Sequence, residues 1–157
     1  MEKLYIAFGS NLGQREATVR KALRMCIEQI GELETCSSFF ETKALNPPQL
    51  ESQPDYINGV AIFKTDLRPN KILEITQKIE KELGRDRKNE IHWGPRTIDL
   101  DIILFGDTVL KSEQLTIPHL QMHKRSFVLE PLIEIDPEVK HPILKKTALE
   151  LLNLTLF

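Results

Sequence analysis

His92-Trp93-Gly94-Pro95-Arg96-Thr97-Ile98-Asp99-Leu100-Asp101-Ile102-Ile103-Leu104-Phe105-Gly106 is a loop with a Gly-Pro step that turns into an apolar strand interrupted by two carboxylates. Residues two apart on a strand share a face, so Thr97, Asp99 and Asp101 point one way. Ile98, Leu100, Ile102 and Leu104 point the other way, into a core. Strand rise puts the Cα atoms of Asp99 and Asp101 about 6.6 Å apart. Carboxylates rarely sit on so hydrophobic a strand unless something pairs or coordinates them. Close pairs of hard oxygen ligands suit Mg²⁺, which is usually held by one or two carboxylates plus substrate phosphates. Arg96 lies near the same edge, where a phosphate oxygen could reach it. The stretch predicts a magnesium–phosphate site. The plainer alternative is two solvent-facing acids on a half-covered sheet, bonded to Arg96. The cations upstream weigh against it.

Those cations stand in Arg85-Asp86-Arg87-Lys88-Asn89-Glu90-Ile91, polar and without periodicity, which reads as a mobile surface loop beside the two acids. A helix from Leu67-Arg68-Pro69 to about Leu83 precedes it, with Ile72, Ile75, Ile79 and Leu83 inward and Gly84 as its cap. Gln77 and Glu80 lie on its charged, solvated side by default. Further back, Tyr56 to Lys64 reads as a strand. The loop before it, residues 43–55 with Pro47, Pro48 and Pro54, is long enough to suggest a binding role. Leu33 to Thr42 reads as one strand and Leu4 to Phe8 as a short buried one. Between them runs a helix from about Arg15 to Ile30, with Val19, Ala22, Leu23, Cys26, Ile27 and Ile30 at helical spacing. Downstream, Gly106-Asp107 predicts a hairpin turn into Thr108 to Leu110. Helices follow around Phe127 to Ile135 and Thr147 to Leu154.

The order is β-α-β-β-α-β, an α+β fold of ferredoxin-like type. It implies a mainly antiparallel sheet with helices on one face and the active site on the other, plus a C-terminal hairpin and short helices. At 157 residues the chain fits a single domain over 1–157. Hydrophobic content of 41% and charged content of 28% are ordinary for a globular protein. A net charge of −2 leaves no footprint for wholesale nucleic-acid or anionic-membrane binding. Cys26 and Cys36 lack metal-ligand or C-x-x-C spacing and read as free thiols of a reducing cytoplasm. The first residues lack the pattern of a signal peptide, and no run of 18 apolar residues could span a bilayer.

Arg96-Thr97-Ile98-Asp99-Leu100-Asp101 after Trp93-Gly94-Pro95 closely resembles the signature of the 6-hydroxymethyl-7,8-dihydropterin pyrophosphokinases. The resemblance extends to Gly9-Ser10-Asn11-Leu12, Gln53-Pro54-Asp55-Tyr56-Ile57-Asn58, Thr116-Ile117-Pro118-His119 and Arg125-Ser126-Phe127-Val128-Leu129. Several patterns in order make it specific, where a lone D-x-D would be weak. It implies transfer of a pyrophosphoryl group from ATP to the pterin's hydroxymethyl oxygen, leaving AMP, in folate biosynthesis. Carried across residue by residue, it implies that Asp99 and Asp101 bind two Mg²⁺ ions and that Arg85 and Arg96 serve the transfer. Arg87, His119 and Arg125 would contact ATP phosphates, with Gln77, Glu80, Ile102 and Thr116 bordering the nucleotide. Asn58 would hydrogen-bond the pterin, Tyr56 and Phe127 would stack on it, and Trp93 would close over it. Thr42 and Leu45 would offer backbone contacts. Gln114 and Leu120 depart from an arginine and a tyrosine that some relatives place near ATP. The implied partners are ATP and the pterin, without nucleic acid or membrane and with no fused enzyme, leaving room for a complex with neighbouring folate-pathway enzymes.

These residue types suit that chemistry. Phosphoryl-type transfer is mostly positioning and charge neutralisation, and ATP carries about four negative charges that two divalent cations balance. No side chain is an obvious general base. Arg85 is expected to arrive on loop closure, where an arginine so supplied is worth ~10³–10⁵ in rate. Two other readings remain open on the residues alone. A glycosyltransferase-like D-x-D site predicts a doubly wound parallel sheet. An RNA-binding ferredoxin-like module predicts stacking aromatics on the central strands, where this chain has carboxylates.

Overall fold

Unbroken burial from Leu4 to Ser10 makes the first strand, β1 (Glu2–Ser10), the centre of the sheet, because an apolar strand must be covered on both faces. The computed structural model describes residues 1–43, 54–85, 88 and 96–156. After β1 come α1 (Arg15–Gln29), β2 (Glu32–Cys36), β3 (Phe40–Thr42), β4 (Tyr56–Thr65), α2 (Pro69–Glu82) and β5 (Asp99–Phe105). The sheet runs β2-β4-β1-β5, wholly antiparallel, with β3 also paired to β4. This is the expected ferredoxin-like order. A two-stranded hairpin, β6 (Leu110–Lys111) and β7 (Thr116–Ile117), follows, then a 3₁₀ turn at Met122–Lys124, α3 (Ser126–Ile135) and α4 (Ala148–Thr155).

Alternation along β1 divides the core. Leu4, Ile6 and Phe8 face α1 and α2, meeting Val19, Ala22 and Cys26 from one helix and Ile72, Ile75 and Ile79 from the other. Tyr5 and Ala7 face the opposite side, where Val60 and Ile62 of β4 join Met122, Val128, Leu132 and Ala148. The second face is therefore not left free for the site, which corrects the expectation drawn from the β-α-β-β-α-β order. The C-terminal helices cover it, because their apolar stripes need a partner. The site is left the end of this face where β1 and β5 meet.

Four local expectations are also corrected. Leu33 to Thr42 is broken, not continuous. The Ser37 hydroxyl accepts from the Val60 N–H at 3.0 Å and Ser37 N donates to Val60 O at 2.9 Å, so a side chain replaces part of the ladder before β3 resumes. Leu104 does not face α1 and α2. Pairing runs Ile6 to Ile102 and Tyr5 to Leu104, which leaves Ile103 as a bulge and turns Leu104 to the second core. The Gly106-Asp107 turn does not start a strand paired to β5, and the strand residues after it, Leu110 and Lys111, pair with Ile117 and Thr116. Ile27 is 45% exposed on α1 rather than in the core.

Candidate active site

The end of β1 holds together the segments that enter β4 and β5. Ser10 and Asn11 are fully buried, although polar. The Ser10 hydroxyl donates to Thr97 O at 2.6 Å. Asn11 donates its backbone N–H to Arg96 O at 3.1 Å and accepts from Arg96 N at 2.8 Å through its side-chain oxygen. Its amide nitrogen donates to Pro54 O at 3.0 Å. One side chain thus pins the approach to Tyr56 and Asn58 and the approach to Asp99 and Asp101. Neither residue had a role assigned from the sequence, though Asn11 directly after a strand of buried residues was a signal for one.

Thr42, Tyr56, Asn58, Arg96, Asp99, Asp101, Arg125 and Phe127 line one cavity of about 300 Å³, with Ala7, Phe8, Gly9, Lys43, Gly59 and Val128 completing its wall. That volume lies at the small-ligand end of ordinary binding pockets. On the pterin-assigned side, the Asn58 amide donates to the Thr42 hydroxyl. β3 places the two side by side, since Phe40 pairs with Asn58 and Thr42 with Tyr56. Gly9 stands opposite Asn58 on β1, and a Cβ there would lie 3.0 Å from the Asn58 amide oxygen. Glycine lets the amide sit close over the strand. Phe127 is 39% exposed, so its ring is rim rather than core, and the Arg125 guanidinium lies 5.6 Å from its centroid.

On the other side, the Asp99 side chain is 35% exposed and accepts from Arg85 Nη1 at 2.8 Å. Burial pushes the Asp101 carboxyl up to about 8, Asp99 and Glu80 push it the same way, and Arg125 and Arg85 oppose them. Among the described residues no group of three or more His, Cys, Asp or Glu side chains gathers into a metal cage. Two hard carboxylates without a third fit a cation that completes its shell with phosphate oxygens and water. Asp101, whose charge is disfavoured in its setting, is the acid such a cation would relieve.

Arg85 was expected on a moving loop, and the structure corrects this. Gly84, at φ +98°, reverses the chain at the end of α2. Gly84 N donates to Lys81 O at 3.1 Å and Arg85 N to Glu80 O at 3.0 Å, the paired bonds of a Schellman motif. Arg85 is thereby folded back under the helix, its side chain 5% exposed, against a Glu80 side chain that is 2% exposed. Glu80 is not on a solvated face. It shares the buried row of Ile72, Thr76 and Ile79, and its Oε2 accepts from Leu100 N between the two aspartates.

His119 is anchored by its N–H donating to Ile103 O at 3.0 Å, and its ring Nδ1 accepts from Gln121 N at 3.1 Å. Burial and Arg125 lower its pKa, against Asp99, so the neutral ring carries its proton on Nε2 as a hydrogen-bond donor. Thr116 belongs to β7, Ile102 is buried among the residues under α1 and α2, and Gln77 is exposed on α2; none lines the cavity. Leu45, Arg87 and Trp93 lie outside the described residues.

Residues 5–137 match the family model described as 7,8-dihydro-6-hydroxymethylpterin-pyrophosphokinase. The 2-amino-4-hydroxy-6-hydroxymethyldihydropteridine pyrophosphokinase of Haemophilus influenzae is 46% identical over 140 residues, covering 88% of this chain and 84% of that protein. The folic acid synthesis protein fol1 of Schizosaccharomyces pombe is 43% identical over 140 residues, which are 88% of this chain but 18% of that longer protein. A crystal structure of Plasmodium falciparum HPPK-DHPS with pteroate superposes with a TM-score of 0.74 at 16% identity, over 98% of this chain and 42% of that one. This last likeness is one of fold.

Proposed function

The chain belongs to the 7,8-dihydro-6-hydroxymethylpterin-pyrophosphokinase family, and from that premise we propose how its residues divide the reaction among them. The enzyme transfers the pyrophosphoryl group of ATP to the hydroxymethyl oxygen of 6-hydroxymethyl-7,8-dihydropterin in folate biosynthesis. The hydroxymethyl oxygen bonds to the β-phosphorus, the bond from that phosphorus to the α,β-bridging oxygen breaks, and AMP leaves.

One observation carries the division of labour: the acids, two arginines and the aromatic–amide wall line a single cavity. Tyr56 and Phe127 take the faces of the flat pterin, and Asn58, oriented by Thr42, reads its amide-and-amine edge. Asp99 and Asp101 would hold two Mg²⁺ ions, which when bound would supply charge neutralisation of the triphosphate and acidification of the attacking hydroxyl. Arg96, fixed by Asn11, and Arg125, at the start of α3, meet phosphate oxygens with planar, charged donors. The neutral Nε2–H of His119 donates to the same chain of phosphates. Arg85 reaches the transferred group from beneath, and Arg87 and Trp93 act from the segment before Arg96. Gln77, Ile102 and Thr116 border the nucleotide. No helix among the described residues is long and apolar enough to cross a membrane, and we place the enzyme in the cytoplasm. The longer folic acid synthesis relative supports association with a neighbouring enzyme of the pathway.

The test is an assay with ATP and the reduced hydroxymethylpterin in Mg²⁺, following nucleotide products. AMP formed in step with the pterin diphosphate is the expected result. ADP as the product would establish ordinary kinase chemistry instead.

A further inference from the structure

We propose that Glu80 is a positioning residue that acts through Arg85, storing its guanidinium across Asp99 until a divalent cation takes that carboxylate. The inference rests on the reading of Asp99 as a metal-holding acid. Arg85 Nη1 donates toward Glu80 Oε2 at 2.8 Å, Asp99 Oδ1 at 2.8 Å and Ile98 O at 3.3 Å. That nitrogen carries two hydrogens for three acceptors, so its bonds are shared and can be redistributed without stranding a donor. The two carboxylates are not equivalent partners. Glu80 Oε2 also accepts from Leu100 N at 2.9 Å, the strand residue between the two aspartates. Glu80 is sealed beneath α2 and joined to Arg85 through the backbone as well, Arg85 N donating to Glu80 O. Asp99 is partly open to the cavity and is the partner a cation can claim.

A guanidinium and a divalent cation repel each other at one carboxylate oxygen, so the two exchange at Asp99. Arg85 then leaves Asp99 but stays tied to Glu80, which keeps its guanidinium turned toward the phosphates. In the metal-free chain the same arginine balances the buried acids. Glu80 itself touches no substrate.

Glu80→Gln keeps an acceptor for Leu100 N–H and removes the charge that anchors Arg85. Its kcat should fall at least about tenfold with KM for ATP within about twofold. In an Arg85→Gln background, Glu80→Gln should change kcat by less than about twofold, because the residues act as a unit. Multiplicative losses, or a rise in KM that accounts for the whole effect, would mean that Glu80 meets the nucleotide itself and would overturn the proposal. The second readout is Mn²⁺ titration of nucleotide-free enzyme, followed by electron paramagnetic resonance. Arg85→Gln should bind Mn²⁺ at least about fivefold tighter, since the competing cation is gone; unchanged affinity would refute the exchange. This measurement decides the matter even if Glu80→Gln does not fold. Asp99→Asn separates the two levels. Unaltered Mn²⁺ binding there removes the metal reading and the exchange with it. Lost binding there, with Arg85→Gln indifferent, removes the exchange alone.

Discussion

Asp101, which we propose holds Mg²⁺, sits where its own charge is disfavoured. Its carboxyl ionises in the fold near pH 8 rather than in the usual carboxylate range, chiefly because it is buried. The folded chain therefore holds this proton where the unfolded chain has released it. That preference favours folding most at pH below the unfolded pKa, and it fades as pH rises from about 4 toward about 8. Metal-free enzyme should lose melting temperature across that interval, measured in chelator, and Asp101→Asn should flatten the loss. The same variant should cut turnover by ~10² or more, given the several kcal/mol that metal-borne charge neutralisation supplies. Mg²⁺ affinity should rise with pH over the same window, because the cation must displace a proton. Calorimetric titration at pH 6 and pH 8 checks the direction. The two-residue spacing of the acids was legible in the sequence. The different electrostatic settings of the two were not, because Asp101 meets the charges of Glu80 on α2 and of Arg125 before α3 only once both helices have packed on the sheet.

At the scale of elements, chain reversals decide where the charged groups go. Gly84 has a positive φ that other residues adopt only under strain, so Gly84→Ala should destabilise by about 1–2 kcal/mol. It should also reduce kcat more than it alters KM, since Arg85 N and its side chain lose their register on Glu80; denaturant melts and steady-state kinetics measure both. Asn11→Ala removes the partner of Pro54 O and of Arg96 N in a fully buried position. A loss of about 1–3 kcal/mol is expected, with weaker binding of pterin and nucleotide together rather than of one alone. Helical phase did contain the true place of Glu80. Ile72, Thr76, Ile79 and Glu80 follow i, i+4, i+7, i+8, the pattern of one buried stripe. A glutamate in such a row reads as solvated only if composition is allowed to outweigh phase. The break at Ser37 and the bulge at Ile103 were not legible. A hydroxyl that replaces a ladder bond leaves no periodic trace, and Ile102-Ile103-Leu104-Phe105 is apolar in either register.

Over the whole molecule, one sheet is covered twice, and the cavity we propose as the active site lies at the end the second cover leaves open. Apolar periodicity showed that α3 and α4 must be buried against something, but not that the sheet was their partner. Leu132 is fully buried in that second layer with Tyr5, Val60 and Leu104. Leu132→Ala should destabilise by ~2–5 kcal/mol by equilibrium denaturation, and α3 carries Phe127 while Arg125 directly precedes it. Pterin affinity should therefore decline before global unfolding sets in, which fluorescence titration at low urea would detect. The irregularity in β5 has an outcome of its own. Ile103 is supernumerary to the pairing, so excising it leaves every remaining side chain of the strand on its present side, at the expense of one packed isoleucine. Because its neighbour is also isoleucine, removing either one gives the same chain, in which the isoleucine that remains takes the paired position opposite Ile6. Excising Leu100, paired with Phe8, instead makes Asp99 and Asp101 adjacent and turns them to opposite faces. The variant shortened at the bulge should still bind Mn²⁺, and the one lacking Leu100 should not. Length is negotiable at the bulge and forbidden between the two acids.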